Sequence, residues 1–335
     1  MNIRRLPLIL IFGALVSLDA QSQTPSDQKP ETEVLRISTR LVTVPVTAKT
    51  RQGAYVANLT REDFRIYEDS IEQKISHFDS VDKPFTVVLM LDISDSTRME
   101  LAEIQNAAIA FLNQLKPDDR AQIVAFDKQL VKLTVATSDR DVLSNAIRQL
   151  KTGGGTALYD AVATTISELA KGIPGRKAVV LLTDGIDTQS MRATYDSTVR
   201  SATEQCVLIY PIQWDTPNDY LSKQLSSPVN DANIGGVMYT TPKGESLRKA
   251  YERGTRYLQF IAHTSGGRFQ YADNVKNLNR SFSRIAEELR QQYSLSYYPR
   301  NEGIKDGKRR IKITVNAPDI VVHSRDNYIY KAETQ

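Results

Sequence analysis

Residues 84–92 read PFTVVLMLD, an apolar run that closes on an aspartate. A strand with one face in water alternates apolar and polar residues. A strand without that alternation is covered on both faces, as in a parallel sheet held between helices. Two later stretches share the character, RKAVVLLTD at 176–184 and CVLIYPIQW at 206–214. After the first run, Leu101, Ile104, Ala108, Phe111, Leu112 and Leu115 recur at helical spacing. AQIVAFD and LVKLTVA read as a strand pair, and further helices are expected around 142–150, 157–170 and 193–203. Strand alternating with helix predicts a doubly wound α/β domain with a mostly parallel sheet, spanning about 84–290. The chain has 335 residues, 41% of them hydrophobic and 24% charged, which suits about two globular domains with real cores.

The flanks follow a different period. Leu35 and Ile37, then Leu41, Val42, Val44 and Val46, with Tyr55-Val56, Phe64 to Tyr67, Ile75 and Phe78 after them, read as short strands over 34–82. Pro45 implies an edge strand or a bulge there. In the tail, Tyr293, Leu295 and Tyr297 alternate, as do Ile311, Ile313 and Val315, and VVHSRDNYIY reads as one last strand. A parallel sheet has no room for these strands, so residues 292–330 are expected to pair with 34–82 in a small β-sandwich built from both ends of the domain. Residues 215–253 are polar and turn-rich and read as a long surface insertion. A helix ending at His263, capped by Gly266-Gly267, and a strand RFQYA follow it.

The first residues read as an export signal. Arg4 and Arg5 precede an apolar run from Leu6 to Leu18, and Ala20 offers a small residue for cleavage. The run is short for a membrane-spanning helix, so residues 1–20 are expected to be removed, leaving no integral membrane segment. Residues 21–33, polar and proline-bearing, read as a linker. The expected location is therefore the periplasm, the cell envelope or the medium. The lone Cys206 forms no internal disulfide and reads as a buried structural thiol. With 43 basic and 39 acidic residues and no basic block interleaved with aromatics, nucleic-acid binding is not expected.

Open α/β sheets bind ligands beyond the carboxyl ends of their strands. Three polar clusters fall at such positions: Asp92, Ser94 and Ser96 after the first buried strand, Thr156 in GGGTALYD before a helix, and Asp184 in LLTDG after the second. Two carboxylates and three hydroxyls form a hard oxygen set. It suits Mg²⁺, Mn²⁺ or Ca²⁺ and argues against Zn²⁺ or copper. The alternate spacing of D-x-S-x-S is expected to turn its three side chains to one side of an extended turn. A phosphohydrolase built on D-x-D lacks its second carboxylate here, since Ser94 stands in that place. An EF-hand would want glycine where Thr97 stands. The blander alternative is that the hydroxyls only cap helices, with Asp160 complementing a helix dipole.

These five residues, in this order and context, resemble the metal-ion-dependent adhesion site of von Willebrand factor type A (VWFA) domains. The resemblance covers about 84–290. The flanking LVTVPVTA, LTREDFRIYED and ELRQQYSLSYYP resemble the bacterial VWFA-related proteins of the Acidobacteria type. The resemblance implies a metal held at Asp92, Ser94, Ser96, Thr156 and Asp184. The hydroxyls would contact it directly or through water, the aspartates would act mostly through water, and an Asp or Glu carboxylate of a partner protein would complete the shell. It further implies an adhesion-type interaction module and not an enzyme, with Mg²⁺ or Mn²⁺ favoured over Ca²⁺. A metal-dependent hydrolase using the same oxygens, and a scaffold with a vestigial site, are the alternatives.

Overall fold

The computed structural model describes residues 41–172, 175–214, 241, 244–300 and 307–330. The expected signal at 1–20, the linker at 21–33, the first strand residues before 41 and most of the expected insertion lie outside the described residues.

The three unalternating runs form the centre of one sheet. They are β5 (Phe85–Asp92), β8 (Arg176–Thr183) and β9 (Leu208–Trp214), and nearly every residue in them is buried. With β6 (Arg120–Phe126), β7 (Leu130–Lys132) and β10 (Gln270–Ala272) they make a six-stranded sheet, ordered β10-β9-β8-β5-β6-β7. All pairs are parallel except the edge hairpin β6–β7. Helices cover both faces, which is why no polar alternation appears. On one face α1 (Leu101–Asn113), α2 (Arg140–Arg148) and α6 (Val275–Arg290) pack on Val87, Leu89 and Leu91. On the other face α3 (Leu158–Gly172), α4 (Tyr195–Gln205) and α5 (Leu247–Ser265) pack on Val88 and Met90. The α/β expectation therefore holds.

The sandwich is also present. One four-stranded sheet, in the order β13-β1-β11-β4, joins β1 (Val42–Thr50) and β4 (Ile75–Asp79) to β11 (Gln292–Tyr297) and β13 (Ile320–Ser324). The other, in the order β14-β12-β2-β3, joins β2 (Phe64–Glu68) and β3 (Ile71–Gln73) to β12 (Gly307–Val315) and β14 (Asn327–Tyr330). Val42, Val44, Val46, Phe64, Ile66, Tyr293, Leu295, Tyr297, Ile311 and Tyr328 fill the space between them. Arg176, at the start of β8, ties the sandwich strands to the sheet base. Its guanidinium donates to the carbonyls of Val81, Lys83 and Leu289, so one side chain holds both the entry to β5 and the exit from α6.

Several local expectations are corrected. The tail VVHSRDNYIY is two strands in two different sheets, not one. The chain turns at Arg325, which is 1% exposed and donates to the Thr43 carbonyl. Pro45 sits in an internal strand, not in an edge strand or a bulge. The β13 pairing begins only at Val46, so at Pro45 the strand has a partner on one side alone. Tyr55 makes an isolated bridge to Lys49 and belongs to no strand. The expected insertion at 215–253 overruns its end: α5 starts at Leu247, after the Ser246 side chain accepts a hydrogen bond from the Lys249 N–H. The helix expected to end at His263 runs to Ser265 and stops at Gly266 with φ +88°. Cys206 is half-buried and ends α4 in the left-handed conformation, φ +57°. Among the described residues, no helix is long and apolar enough to cross a membrane.

Candidate metal centre

From β5 the chain crosses to β6 on one side of it and later to β8 on the other. The carboxyl ends of β5 and β8 therefore lie side by side where the winding reverses, which is where an open sheet offers a crevice. Asp92 ends β5, and Asp184 follows Thr183 at the end of β8. Both are buried, at 0% and 2% exposure.

Asp92 is surrounded by neutral donors. Its Oδ1 accepts from the Ser94 N–H at 3.0 Å, and its Oδ2 accepts from the Thr183 hydroxyl at 2.6 Å. Burial first, and the neighbouring Asp184 charge second, push its carboxyl up to about 7, against the pull of the Ser94 and Thr183 hydrogen bonds. Asp184 accepts from the Ile186 N–H at 2.9 Å, and its carbonyl accepts from the Gln213 amide.

Ser94 and Ser96 reach the same place by a different backbone path from the one expected. Ser94 keeps an extended backbone (φ −63°, ψ +167°), but Ser96 lies inside a short 3₁₀ turn, Asp95–Glu100. The Ser94 hydroxyl makes no capping bond to that turn and lies 3.1 Å from the Ser96 hydroxyl. Helix capping alone therefore does not explain Ser94. Ser94 is buried and Ser96 exposed, so the pair spans from the crevice floor to its mouth.

Thr156 arrives on the glycine loop. The Gly153 N–H donates to the Ile93 carbonyl at 2.7 Å, and the Asp95 N–H donates to the Gly154 carbonyl at 3.1 Å, so this loop is bonded directly to the Asp92–Ser96 turn. Gly153 is required by close approach: a Cβ there would stand 1.9 Å from Asp127 Oδ2. Thr156 is buried, at 5% exposure. Its N–H donates to the Thr188 hydroxyl, and its carbonyl accepts from the Thr188 and Gln189 N–H groups, each at 2.9 Å.

Asp160 stands in the first turn of α3, as the dipole reading expects, and it also holds a neighbouring loop. Its carboxylate accepts from the N–H groups of Met191, Arg192 and Ala193 at 3.0, 3.0 and 2.6 Å. Burial raises its pKa, but the three backbone donors outweigh that and hold the carboxyl below its ordinary range. The residues that sequence reading missed are supports: Thr183, Asp127, Thr188 and the Gly185–Gly254 contact. A Cβ on Gly254 of α5 would meet the Gly185 carbonyl oxygen at 2.4 Å, so the helix lies directly on the loop after Asp184. Thr183 alone left a signal, as a polar residue ending an apolar run.

Among the described residues no three His, Cys, Asp or Glu side chains cluster as metal ligands. The donor set is instead two carboxylates and three hydroxyls, and it fits a hard divalent cation. A cation would offset the burial and mutual repulsion that raise Asp92.

Residues 87–186 match the family model described as von Willebrand factor type A domain, the stretch that carries all five candidate donors. Among particular relatives, an uncharacterised protein of Synechocystis is 34% identical over 107 residues, 30% of this chain and 25% of that protein. A UPF0353 protein of Mycolicibacterium gilvum is 25% identical over 225 residues, 61% of this chain and 60% of that protein. The chain thus spans a quarter to three-fifths of the length of these relatives. Proximal thread matrix protein 1 of the mussel byssus, solved with a zinc-occupied MIDAS motif, is 14% identical with a TM-score of 0.42, covering 64% of this chain and 47% of that one.

Proposed function

We propose that this protein is an exported, divalent-cation-dependent interaction module. Asp92, Ser94, Ser96, Thr156 and Asp184 hold the cation, and a partner protein completes its shell with an Asp or Glu carboxylate. The observation that carries the reading is the meeting of two buried carboxylates with the paired Ser94 and Ser96 hydroxyls at the reversal point of the sheet. Asp92 keeps its carboxyl oxygens on the Ser94 N–H and the Thr183 hydroxyl, which fixes the orientation of its side chain before any cation arrives. Ser96 stands exposed at the mouth, where a partner's carboxylate would enter. When bound, the cation supplies positive charge to that carboxylate. Neutral hydroxyls leave it more of that charge than extra carboxylates would. Mg²⁺ and Mn²⁺ suit so small a set better than Ca²⁺, which takes more oxygens at longer distances.

Export is supported by Arg4-Arg5 and the short apolar run ending at Leu18. The test is capture from a cell-envelope fraction by the immobilised protein in Mg²⁺ and in EDTA. A defined partner should be retained only with Mg²⁺, released by EDTA, and lost when its acidic contact residue is changed to the amide. Retention of the same partner in EDTA would defeat the proposal.

A further inference from the structure

Met191 is 93% exposed, the most exposed large apolar side chain among the described residues. A side chain so placed on a floppy loop would carry no information, but this one is held. Its own N–H donates to Asp160 Oδ2, and the next two N–H groups donate to Asp160 Oδ1. The preceding residues are tied as firmly. The Ser190 hydroxyl accepts from the Asp160 N–H, and Thr188 and Gln189 are bonded to both sides of the Thr156 peptide. Residues 188–193 and 156–160 therefore form one bonded unit that carries both Thr156 and the exposed Met191.

Two exposed cations flank the Thr156 loop, and the carboxylate of Asp127 beside it is engaged by the Gly154 and Gln129 N–H groups. Arg192, 85% exposed, lies 4.0 Å from an Asp160 whose oxygens are already occupied by backbone donors. Exposed Lys128 lies over Gly154 on the other flank, close enough that a Cβ there would meet its Cε at 2.5 Å. Arg98, by contrast, is paired with Asp95. The face around the candidate cation thus offers an apolar post with positive charge on either side of the Thr156 loop.

Resting on the reading of the site given above, we propose that Met191 is a specificity-determining anchor, and that the partner is an acidic protein segment carrying a large apolar side chain close to its coordinating carboxylate. Asp160 is the positioning residue, because it spends its charge on fixing the loop that presents Met191. Burying such a contact is worth about tenfold in affinity.

The probe is a displayed library of heptapeptides with a fixed central Asp and random flanks, together with the same library with a central Asn. Both are selected on the full chain in Mg²⁺. Expected are enrichment of the Asp library alone and a preference for Leu, Met, Phe or Ile beside the Asp. Selected peptides should lose about tenfold in affinity on Met191→Ser and keep it on Met191→Leu, with calorimetric Mg²⁺ binding unchanged in both variants. If the Asp library enriches without an apolar preference, or the preference survives Met191→Ser, this inference fails and the cation site stands. If neither library enriches, or the Asn library does equally well, both fail.

Discussion

Replacing Asp92 with Asn should stabilise the protein when no cation is present, although it removes the proposed centre's most buried ligand. The folded carboxyl titrates at about 7, against 3.8 for an ordinary aspartate. Between those values the native state holds a proton that the unfolded chain has released, so stability falls as pH rises from about 4 through about 7 and levels above it. At 1.36 kcal/mol per pK unit, the interval bounds the cost of ionising Asp92 at about 4 kcal/mol. Asn keeps the Ser94 contact through its carbonyl oxygen but must reverse the Thr183 hydrogen bond, at a cost of roughly 1 kcal/mol. Asp92→Asn should therefore be more stable than wild type by about 3 kcal/mol at pH 8, and by less than about 1 kcal/mol at pH 5. The assay is urea denaturation in EDTA at both pH values. Mg²⁺ at a thousandfold excess over Kd should reverse the order at pH 8, because it stabilises only the chain that binds it, by about 4 kcal/mol. If Asp92→Asn is destabilised at pH 8 in EDTA, the buried carboxylate is not under electrostatic stress and the reasoning is refuted.

Three further outcomes test the supports. His323 is partly buried, its Nε2 has no hydrogen-bond partner among the described residues, and burial, with Arg268 next, lowers its pKa from 6.5 to about 4. The unfolded chain therefore binds the extra proton between pH 6.5 and 4, stability falls as pH drops through that window, and His323→Asn should flatten the slope in melts run from pH 7 to 4. Gly153→Ala places a Cβ against Asp127 and should cost about 1–3 kcal/mol in denaturation while weakening Mg²⁺ binding measured by calorimetry. Truncation after Arg290 removes β11 to β14, the partners of β1, β2 and β4, and should give aggregation by light scattering; a soluble monomer with a cooperative melt would contradict the composite sandwich.

The sheet was legible because burial on both faces leaves a one-dimensional mark, the unbroken runs at Val87–Leu91, Val179–Leu182 and Leu208–Ile212. The five candidate donors were legible because each follows such a run or opens a helix. Contacts between distant segments left no such mark. Nothing local in α5 shows that Gly254 must be small, since the reason is the Gly185 carbonyl brought beside it by the fold. The split of the tail at Arg325 was hidden for a related reason. The residues on either side of it alternate in the same way, and only the partner strands reveal that Ile320–Ser324 and Asn327–Tyr330 belong to different sheets. Cys206 misled because a thiol beside an apolar run reads as core, whereas its backbone ends a helix.

The central claim is that Asp92, Ser94, Ser96, Thr156 and Asp184 together bind a divalent cation. Its most direct test is calorimetric titration of Mg²⁺ and Mn²⁺, with Ca²⁺ and Zn²⁺ alongside, into the wild type, Asp92→Asn and Thr156→Ala. Wild type should bind one Mg²⁺ or Mn²⁺ per chain, Asp92→Asn should lose the site, and Thr156→Ala should bind about ten- to a hundredfold more weakly while melting as a folded protein. No binding by wild type at millimolar Mg²⁺ or Mn²⁺, or equal binding by all three proteins, would show that these residues are not a metal site.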